Sequence, residues 1–255
     1  MTEQEIFLSK IKDKILAAER GYMIANTGFL NLSERSSAIS VCRDHGARHA
    51  FWGGYPDAER TVLFILPNYI DDSTPFIPTE EDEPLRLFSC RAKQGAKALS
   101  HRDYLGSLLA LGVERSVIGD ILVYENGADI IVMKSIADYL LANYEKAGTT
   151  PLKTEILPIT ALTPPDLKTE SVRESVASLR LDNMLTAVFP ISRTAAVEAI
   201  AKGLVFVNDT EAKKPDMHLH EGDKLVLRGH GKACFREIVG TTRKGRIAVL
   251  FEKYI

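Results

Sequence analysis

The 255-residue sequence predicts an α+β fold, with helices and strands mixed along the chain in three successive parts. Apolar residues recur at the three- and four-residue spacing of helices in some segments, and they alternate with polar residues, as in strands, in others. Turn residues separate these segments at short intervals. We predict an N-terminal α/β domain (residues 1–90), a middle α/β domain (91–158), a linker (159–175) and a C-terminal module of two helices and a small sheet (176–255).

The first domain opens with an amphipathic helix, marked by Leu8, Ile11 and Ile15. We predict a loop at residues 27–30 and then a second helix that Ser33 caps. The alternating patterns of the rest indicate strands at residues 48–52, 61–66 and 85–90, and the acidic stretch 71–84 is predicted as a solvated loop.

The middle domain begins its first helix with Ser100 and Asp103, at the spacing of a capping box. A hairpin is predicted from residues 121–124 and 129–133 around Asn126-Gly127, followed by a helix and a strand at 152–157.

His101 and Arg102 lie at the start of the predicted middle-domain helix, where free backbone N–H groups favour phosphate. Arg91, Lys93 and Lys97 lie just upstream. We therefore predict an RNA contact at His101 and Arg102, against the alternative of an ordinary solvated helix face.

The C-terminal module has the clearest pattern of the chain. Leu181, Met184 and Val188 recur at helical spacing, while Ser192 is placed to cap a second helix that Gly203 ends. Alternation predicts strands at residues 205–207 and 224–228. With both helices on this sheet, we expect the following cations on one polar side: Arg180, Arg193, Lys202, Lys213, Lys214, Arg228 and Lys232.

These elements, in this order, resemble the S-four domain, an RNA-binding module. The resemblance implies that the two helices lie against RNA and that Arg180, Ser192, Arg193 and Lys202 contact it. Asp209 stands where that family usually has glycine after Val-Asn. Because aspartate tolerates a left-handed turn less well than glycine, we expect the turn to survive with a changed local shape.

Charge is divided unevenly along the chain. Residues 179–255 carry a net charge of +4 and residues 1–178 carry −6, within a total of −2. Attraction to phosphate is therefore concentrated at one end, and the chain as a whole is not a general polyanion binder.

Further motifs lie along the whole chain. They are Asn26-Thr27-Gly28-Phe29-Leu30, Gly53-Gly54-Tyr55-Pro56-Asp57-Ala58-Glu59-Arg60, Ser100-His101-Arg102-Asp103-Tyr104-Leu105-Gly106-Ser107-Leu108-Leu109, Gly119-Asp120-Ile121, Arg228-Gly229-His230-Gly231-Lys232 and Thr242-Arg243-Lys244-Gly245-Arg246.

Together these motifs resemble the YlmH family, S-four-containing bacterial proteins typical of Gram-positive organisms. The resemblance implies a three-part protein whose middle domain also binds RNA. It links the chain to the large ribosomal subunit, to rescue of stalled translation with peptidyl-tRNA on that subunit, and to cell division. The implied partners are ribosomal RNA, transfer RNA, the large subunit and division proteins.

We expect no catalysis and no metal or cofactor. Arg180-Leu181-Asp182 lacks the surrounding motif of pseudouridine synthases, and Gly229-His230-Gly231-Lys232 lacks P-loop spacing. Cys42, His45 and His49 have no fourth partner nearby for a structural zinc. Two alternatives stay open: an RNA-modifying or RNA-processing enzyme with its site in the first 170 residues, and a scaffold for division proteins.

The sequence predicts a cytoplasmic protein without a membrane partner. No apolar run approaches the roughly 20 residues that span a bilayer. Three well-separated cysteines are expected to stay reduced, because an odd and scattered set does not make a disulfide framework.

Overall fold

A computed structural model describes residues 2–21, 23–70, 76–93, 95–164 and 168–255. The chain forms two compact units, Met1–Pro165 and Asp166–Ile255. Both mix helices with antiparallel sheets, which confirms the predicted α+β class. Residues 71–75 of the predicted solvated loop and 165–167 of the predicted linker lie outside the described residues.

The described part of the first unit has four α-helices and eight strands. They follow one another as α1 (Glu3–Gly21), β1 (Ala25–Leu30), α2 (Leu32–Asp44), β2 (His49–Trp52), β3 (Thr61–Ile65), β4 (Leu85–Ala92), α3 (His101–Ala110), β5 (Ile118–Tyr124), β6 (Gly127–Met133), α4 (Lys134–Asn143), β7 (Lys146–Ala147) and β8 (Thr150–Pro158).

The N-terminal sheet has the order β1-β3-β2 and is covered on one face by α1 and α2. Its strand β1 occupies residues that the sequence predicted as a loop, so that prediction is wrong. The strand was not recognised in the sequence because it contains Gly28, and glycine is a poor strand former. A Cβ there would lie 2.6 Å from the carbonyl oxygen of Ser116, so only glycine fits. The cap of α2 is Asn31 rather than Ser33, because the Asn31 side chain accepts the Ser33 and Glu34 N–H groups.

The second sheet of this unit has the order β5-β6-β4-β8-β7, with β4 paired to β6 and β8. The sequence prediction had ended the first domain at residue 90, but β4 lies in the middle of this sheet. The strand takes this central place because it is buried on both faces. Phe88 and Cys90 face α3 and α4, while Leu85 and Leu87 pack on the opposite face in the apolar core that also includes Phe64 of β3. A strand buried on both faces fits only between two covering layers.

The glycine-rich motifs of the first unit join its two sheets. The Asp120 carboxylate accepts hydrogen bonds from Tyr55 Oη (2.9 Å), the Glu59 N–H (2.8 Å) and the Arg60 N–H (3.0 Å). The Arg60 guanidinium in turn donates to the carbonyls of Phe29 and Ile118. These motifs therefore hold the unit together.

The second unit is a six-stranded antiparallel sheet with two helices on one face. Its sheet order is β11-β10-β12-β13-β14-β9. The elements are β9 (Thr169–Val176), α5 (Leu181–Val188), α6 (Arg193–Ala201), β10 (Val205–Val207), β11 (Thr210–Glu211), β12 (Lys224–Leu227), β13 (Gly231–Thr241) and β14 (Ile247–Tyr254).

Strand β9 lies in the stretch that the sequence predicted as a linker. It pairs with β14 along its whole length, from Val176 opposite Ile247 to Thr169 opposite Tyr254. Val172 and Val176 face the core, whereas the residues around them are polar, which is why this edge strand looked like a linker in the sequence.

Local signals set the helix ends as predicted. Ser192 Oγ accepts the Ala195 N–H (3.2 Å) and caps α6. After α6, Gly203 has a φ of 67°, and the N–H groups of Gly203 and Leu204 bond back to Ile200 and Ala199. This is the double hydrogen bond of a Schellman end.

The turn at Asp209 survives as expected. Asn208 and Asp209 have φ angles of 48° and 63° and link β10 to β11. Two left-handed residues are the signature of a type I′ hairpin.

None of the helices in the described ranges is by itself long and apolar enough to cross a membrane; α5 and α6 meet that criterion only as a pair, bent by 117°.

Candidate RNA-binding surface

A buried carboxylate organises the start of both helices of the second unit. Asp182 is 2% exposed. Its Oδ1 accepts a hydrogen bond from Nε of Arg180 (3.1 Å). Its Oδ2 accepts hydrogen bonds from Nη2 of Arg180 (3.1 Å) and from Nε (3.0 Å) and Nη2 (2.8 Å) of Arg193. Two guanidinium groups are thus fixed by one side chain.

Local sequence explains this arrangement. Arg180 is the N-cap residue of α5 and Arg193 is the first residue of α6, so both cations lie at helix N-termini, which disfavour positive charge. Asp182 in the first turn of α5 offsets that repulsion. Burial by itself would raise the pKa of the Asp182 carboxyl, but hydrogen bonds from both arginines outweigh it and hold the pKa below its ordinary value.

The two arginines remain accessible from solvent. The side chain of Arg180 is 37% exposed and that of Arg193 is 61% exposed. Each guanidinium has five N–H donors in a planar fork, more than Asp182 accepts from it. The remaining donors can therefore bind phosphate oxygens without moving the arginines from their carboxylate.

A loop after β11 packs against the same place. The N–H groups of Leu181 and Asp182 donate to the carbonyls of Met217 (2.8 Å) and Pro215 (3.0 Å). Lys213 and Lys214 are exposed in this loop. We call the resulting set the helix-entry surface; its members are Arg180, Ser192, Arg193, Lys213 and Lys214.

Three other predicted contact residues lie elsewhere on the unit, so the single polar side expected from the sequence is wrong. Lys202 ends α6 and pairs with Glu198 at 3.3 Å. Arg228 follows the core residue Leu227, and Lys232 precedes the core residue Ala233. Because side chains alternate along a strand, both cations face away from the helices. Arg228 stacks on the Phe206 ring and Lys232 on the Tyr254 ring. RNA contact by these three stays a prediction.

In the first unit, His101 and Arg102 are exposed at the start of α3, as expected. The N–H and Oγ of Ser100 both donate to Asp103 Oδ2 at 2.7 Å, so a carboxylate already occupies this helix start. Arg91 is not beside His101: it lies on the other face of the sheet and pairs with Asp129 at 2.7 Å. RNA contact at His101 and Arg102 stays a prediction.

A cavity of about 410 Å³ opens in the first unit between β8 and the segment before β4. It is lined in part by Glu83, whose two oxygens accept the Leu85 N–H (2.9 Å) and Trp52 Nε1 (3.2 Å). Burial raises the pKa of Glu83. In the described parts of the chain, no three histidine, cysteine or acidic side chains are grouped to hold a metal ion.

The sequence prediction missed Asp182, to which it assigned no role in RNA binding. A usable signal was present, because the carboxylate follows Arg180 by two residues and has the buried Leu181, Met184 and Leu185 around it. An acidic residue within an apolar segment requires cationic partners.

Comparison with known proteins agrees with this geometry. Residues 78–161 match the domain family described as "Putative RNA-binding domain in YlmH", and residues 179–225 match the S4 domain. The chain is thus an RNA-binding protein of the S4-domain class.

Whole-chain similarity gives the family. The chain is 30% identical over 251 residues to "Ribosome-associated protein quality control protein P2" of Bacillus subtilis, covering 98% of this chain and 95% of that protein. This chain therefore belongs to the YlmH family. A solved structure, "Cell division protein ylmH from Streptococcus pneumoniae", shares the fold at 22% identity with a TM-score of 0.52, over 64% of this chain and 96% of that one.

Proposed function

We propose that this protein binds structured RNA of the large ribosomal subunit through the helix-entry surface. The observation that carries the proposal is the shared Asp182 carboxylate, which holds Arg180 and Arg193 in place before any ligand arrives. Side chains ordered in advance lose less entropy on binding, so more of the contact energy appears as affinity. A fixed helix pair also favours a folded RNA over a random single strand.

The named relative supports a role on the ribosome. That protein is called a ribosome-associated quality control protein, and the alignment runs along nearly the whole of both chains. We propose that this chain likewise acts in the cytoplasm on stalled translation, where peptidyl-tRNA remains on the large subunit, and that ribosomal RNA and transfer RNA are its ligands.

Sedimentation tests this proposal. In a lysate gradient, the wild-type protein should travel with the large subunit, whereas R180Q/R193Q should stay near the top. K10Q/K12Q is the matched control, because it removes the same charge from exposed positions of α1. Wild-type protein that stays at the top, or that follows the small subunit, would contradict the proposal.

We further propose that the protein has no catalysis of its own. The cavity carboxylate Glu83 supports this, because both of its oxygens are engaged in holding Leu85 and Trp52. An RNA-modifying enzyme requires convergent acid and base groups that can reach a substrate. Mass spectrometry of large-subunit RNA after incubation should show no change; a modification or cleavage that E83Q abolishes would favour the enzyme.

A further inference from the structure

A second cationic feature of the C-terminal unit lies at the turn between β13 and β14. Strands β13 and β14 run together as far as the pair Thr241 and Ile247. We call residues 242–246, which connect them, the hairpin tip. Its sequence is Thr-Arg-Lys-Gly-Arg, and the RNA-binding surface described above does not include it.

Hydrogen bonds fix the backbone of the hairpin tip. The Thr242 N–H donates to the Arg246 carbonyl (2.8 Å), and the Gly245 N–H donates to the Thr242 carbonyl (2.9 Å). The Arg246 N–H donates to Thr242 Oγ1 (3.0 Å). Gly245 has a φ of 74°, as the last residue of a three-residue hairpin loop requires. The cations of this loop are therefore presented by an ordered turn.

The three cations of the hairpin tip have no carboxylate to neutralise them. Arg243, Lys244 and Arg246 are exposed, and the sequence has no aspartate or glutamate between Glu237 and Glu252. Throughout the described residues, none of the three forms an ion pair, and Arg246 donates instead to the Ser175 carbonyl. Like charges on one short loop repel one another, and salt screens this repulsion over about 8 Å under physiological conditions. A polyanionic ligand would relieve that repulsion.

Protection of a sheet edge explains this charge less well. Charged residues on an open edge strand do prevent unwanted strand pairing. One open edge beside the tip is the edge strand β9, and the other is the outer part of β13, beyond Cys234, where its pairing with β12 ends. That stretch includes the apolar Ile238 and Val239, whereas the cations occupy the turn. The position of the three cations in the turn thus fits contact with a ligand better than prevention of unwanted strand pairing.

We propose that the hairpin tip is a second phosphate-binding site of the C-terminal unit and holds the backbone of the RNA bound at the helix-entry surface. This inference rests on the proposed function. The tip offers three cationic side chains, and positively charged side chains make most of their nucleic-acid contacts to phosphate oxygens, which hold the backbone in place.

The test uses the full chain with the variant R243Q/K244Q and purified large-subunit ribosomal RNA, over a range of salt concentrations. Each lost phosphate contact lowers the slope of log affinity against log salt by about 1, so the double variant should lose about 2. Its affinity near 0.15 M salt should fall about tenfold. K10Q/K12Q makes the same change of charge on α1 and should keep the wild-type slope. Thermal melting checks that R243Q/K244Q, R180Q/R193Q and K10Q/K12Q all stay folded, because R180Q/R193Q leaves the buried Asp182 without its two arginines.

The outcomes separate this inference from the proposed function. If R243Q/K244Q keeps the slope and affinity of K10Q/K12Q while R180Q/R193Q loses binding, the hairpin tip is no RNA contact and the helix-entry surface stands. If R243Q/K244Q loses about 2 in slope while R180Q/R193Q binds normally, the hairpin tip is a phosphate contact but the helix-entry surface is not, so the proposed function fails and the tip does not act together with that surface. If both variants bind like the control, both proposals are overturned.

Discussion

At the scale of single residues, Asp182 decides how positive charge is presented to RNA. It removes one unit of charge from the helix-entry surface and in return fixes two guanidinium groups. These two effects act in opposite directions on RNA affinity, so a substitution can show which one is larger.

We predict that D182N weakens RNA binding about tenfold, although it makes the protein more positive, because hydrogen bonds to charged groups contribute about 1.5–3 kcal/mol and the two arginines lose theirs. Binding curves with large-subunit RNA measure the effect. D216N is the matched control, since Asp216 is exposed in the loop beside α5 and makes the same change of charge. Tighter binding by D182N would show that attraction is diffuse and that positioning is unimportant.

Acid should remove the contribution of Asp182 to stability. The pKa of this carboxyl is lower in the folded protein than its ordinary value, so the folded state binds fewer protons than the unfolded chain. The stabilisation is therefore present above the unfolded pKa of about 3.9 and is lost as pH falls through the folded value. Urea midpoints of wild type and D182N should differ at pH 6, and the difference should shrink as pH falls below about 4 toward the folded pKa. A difference that stays constant with pH would contradict this role.

At the scale of elements, the helix ends of the C-terminal unit could be predicted because their signals are local. Ser192 caps α6 through the third residue after it, and Gly203 ends it through a backbone conformation that glycine adopts easily. The positions of β4 and β9 could not be predicted, because each depends on partners far along the chain. Arg86 pairs with Pro158, and Thr169 pairs with Tyr254.

The site was predictable to a similar extent. The cations were visible in the sequence, and the Ser-Arg motif placed Arg193 at a helix start. Their grouping was not visible, because the face on which Arg228 and Lys232 lie follows from strand alternation in a sheet whose core was unknown. The role of Asp182 depends on Arg193, which is brought beside it only when α5 and α6 pack together.

Two glycine substitutions should have opposite effects on stability. G203A should destabilise the protein by about 1–2 kcal/mol, since it forces a Cβ into a left-handed residue. G106A should stabilise it by about 0.5–1 kcal/mol, because Gly106 lies inside α3 with open space around its missing Cβ. Chemical denaturation of both variants measures these changes. The Schellman end of α6 would be unimportant if G203A were as stable as wild type.

At the scale of the whole molecule, the division into two units makes separate expression practical. A fragment from Lys168 to Ile255 includes all of β9, whereas one beginning at Ser171 would lose the first two residues of that strand. We predict that the Lys168 fragment folds and binds large-subunit RNA, and that its affinity is lower than that of the full chain. The difference would come from His101 and Arg102. Equal affinity of fragment and full chain would remove the first unit from the RNA contact.

The pairing of β9 with β14 has one more consequence. The first strand of the C-terminal unit lies beside the last, and the N–H of Ile255 reaches the carbonyl of Lys168 at 3.0 Å. The polypeptide thus enters and leaves this unit at neighbouring points. Units with adjacent ends tolerate insertion into a surface loop of a host protein and circular permutation. This unit could therefore be inserted into a surface loop of an unrelated host protein, because its two ends would join the host chain at neighbouring positions.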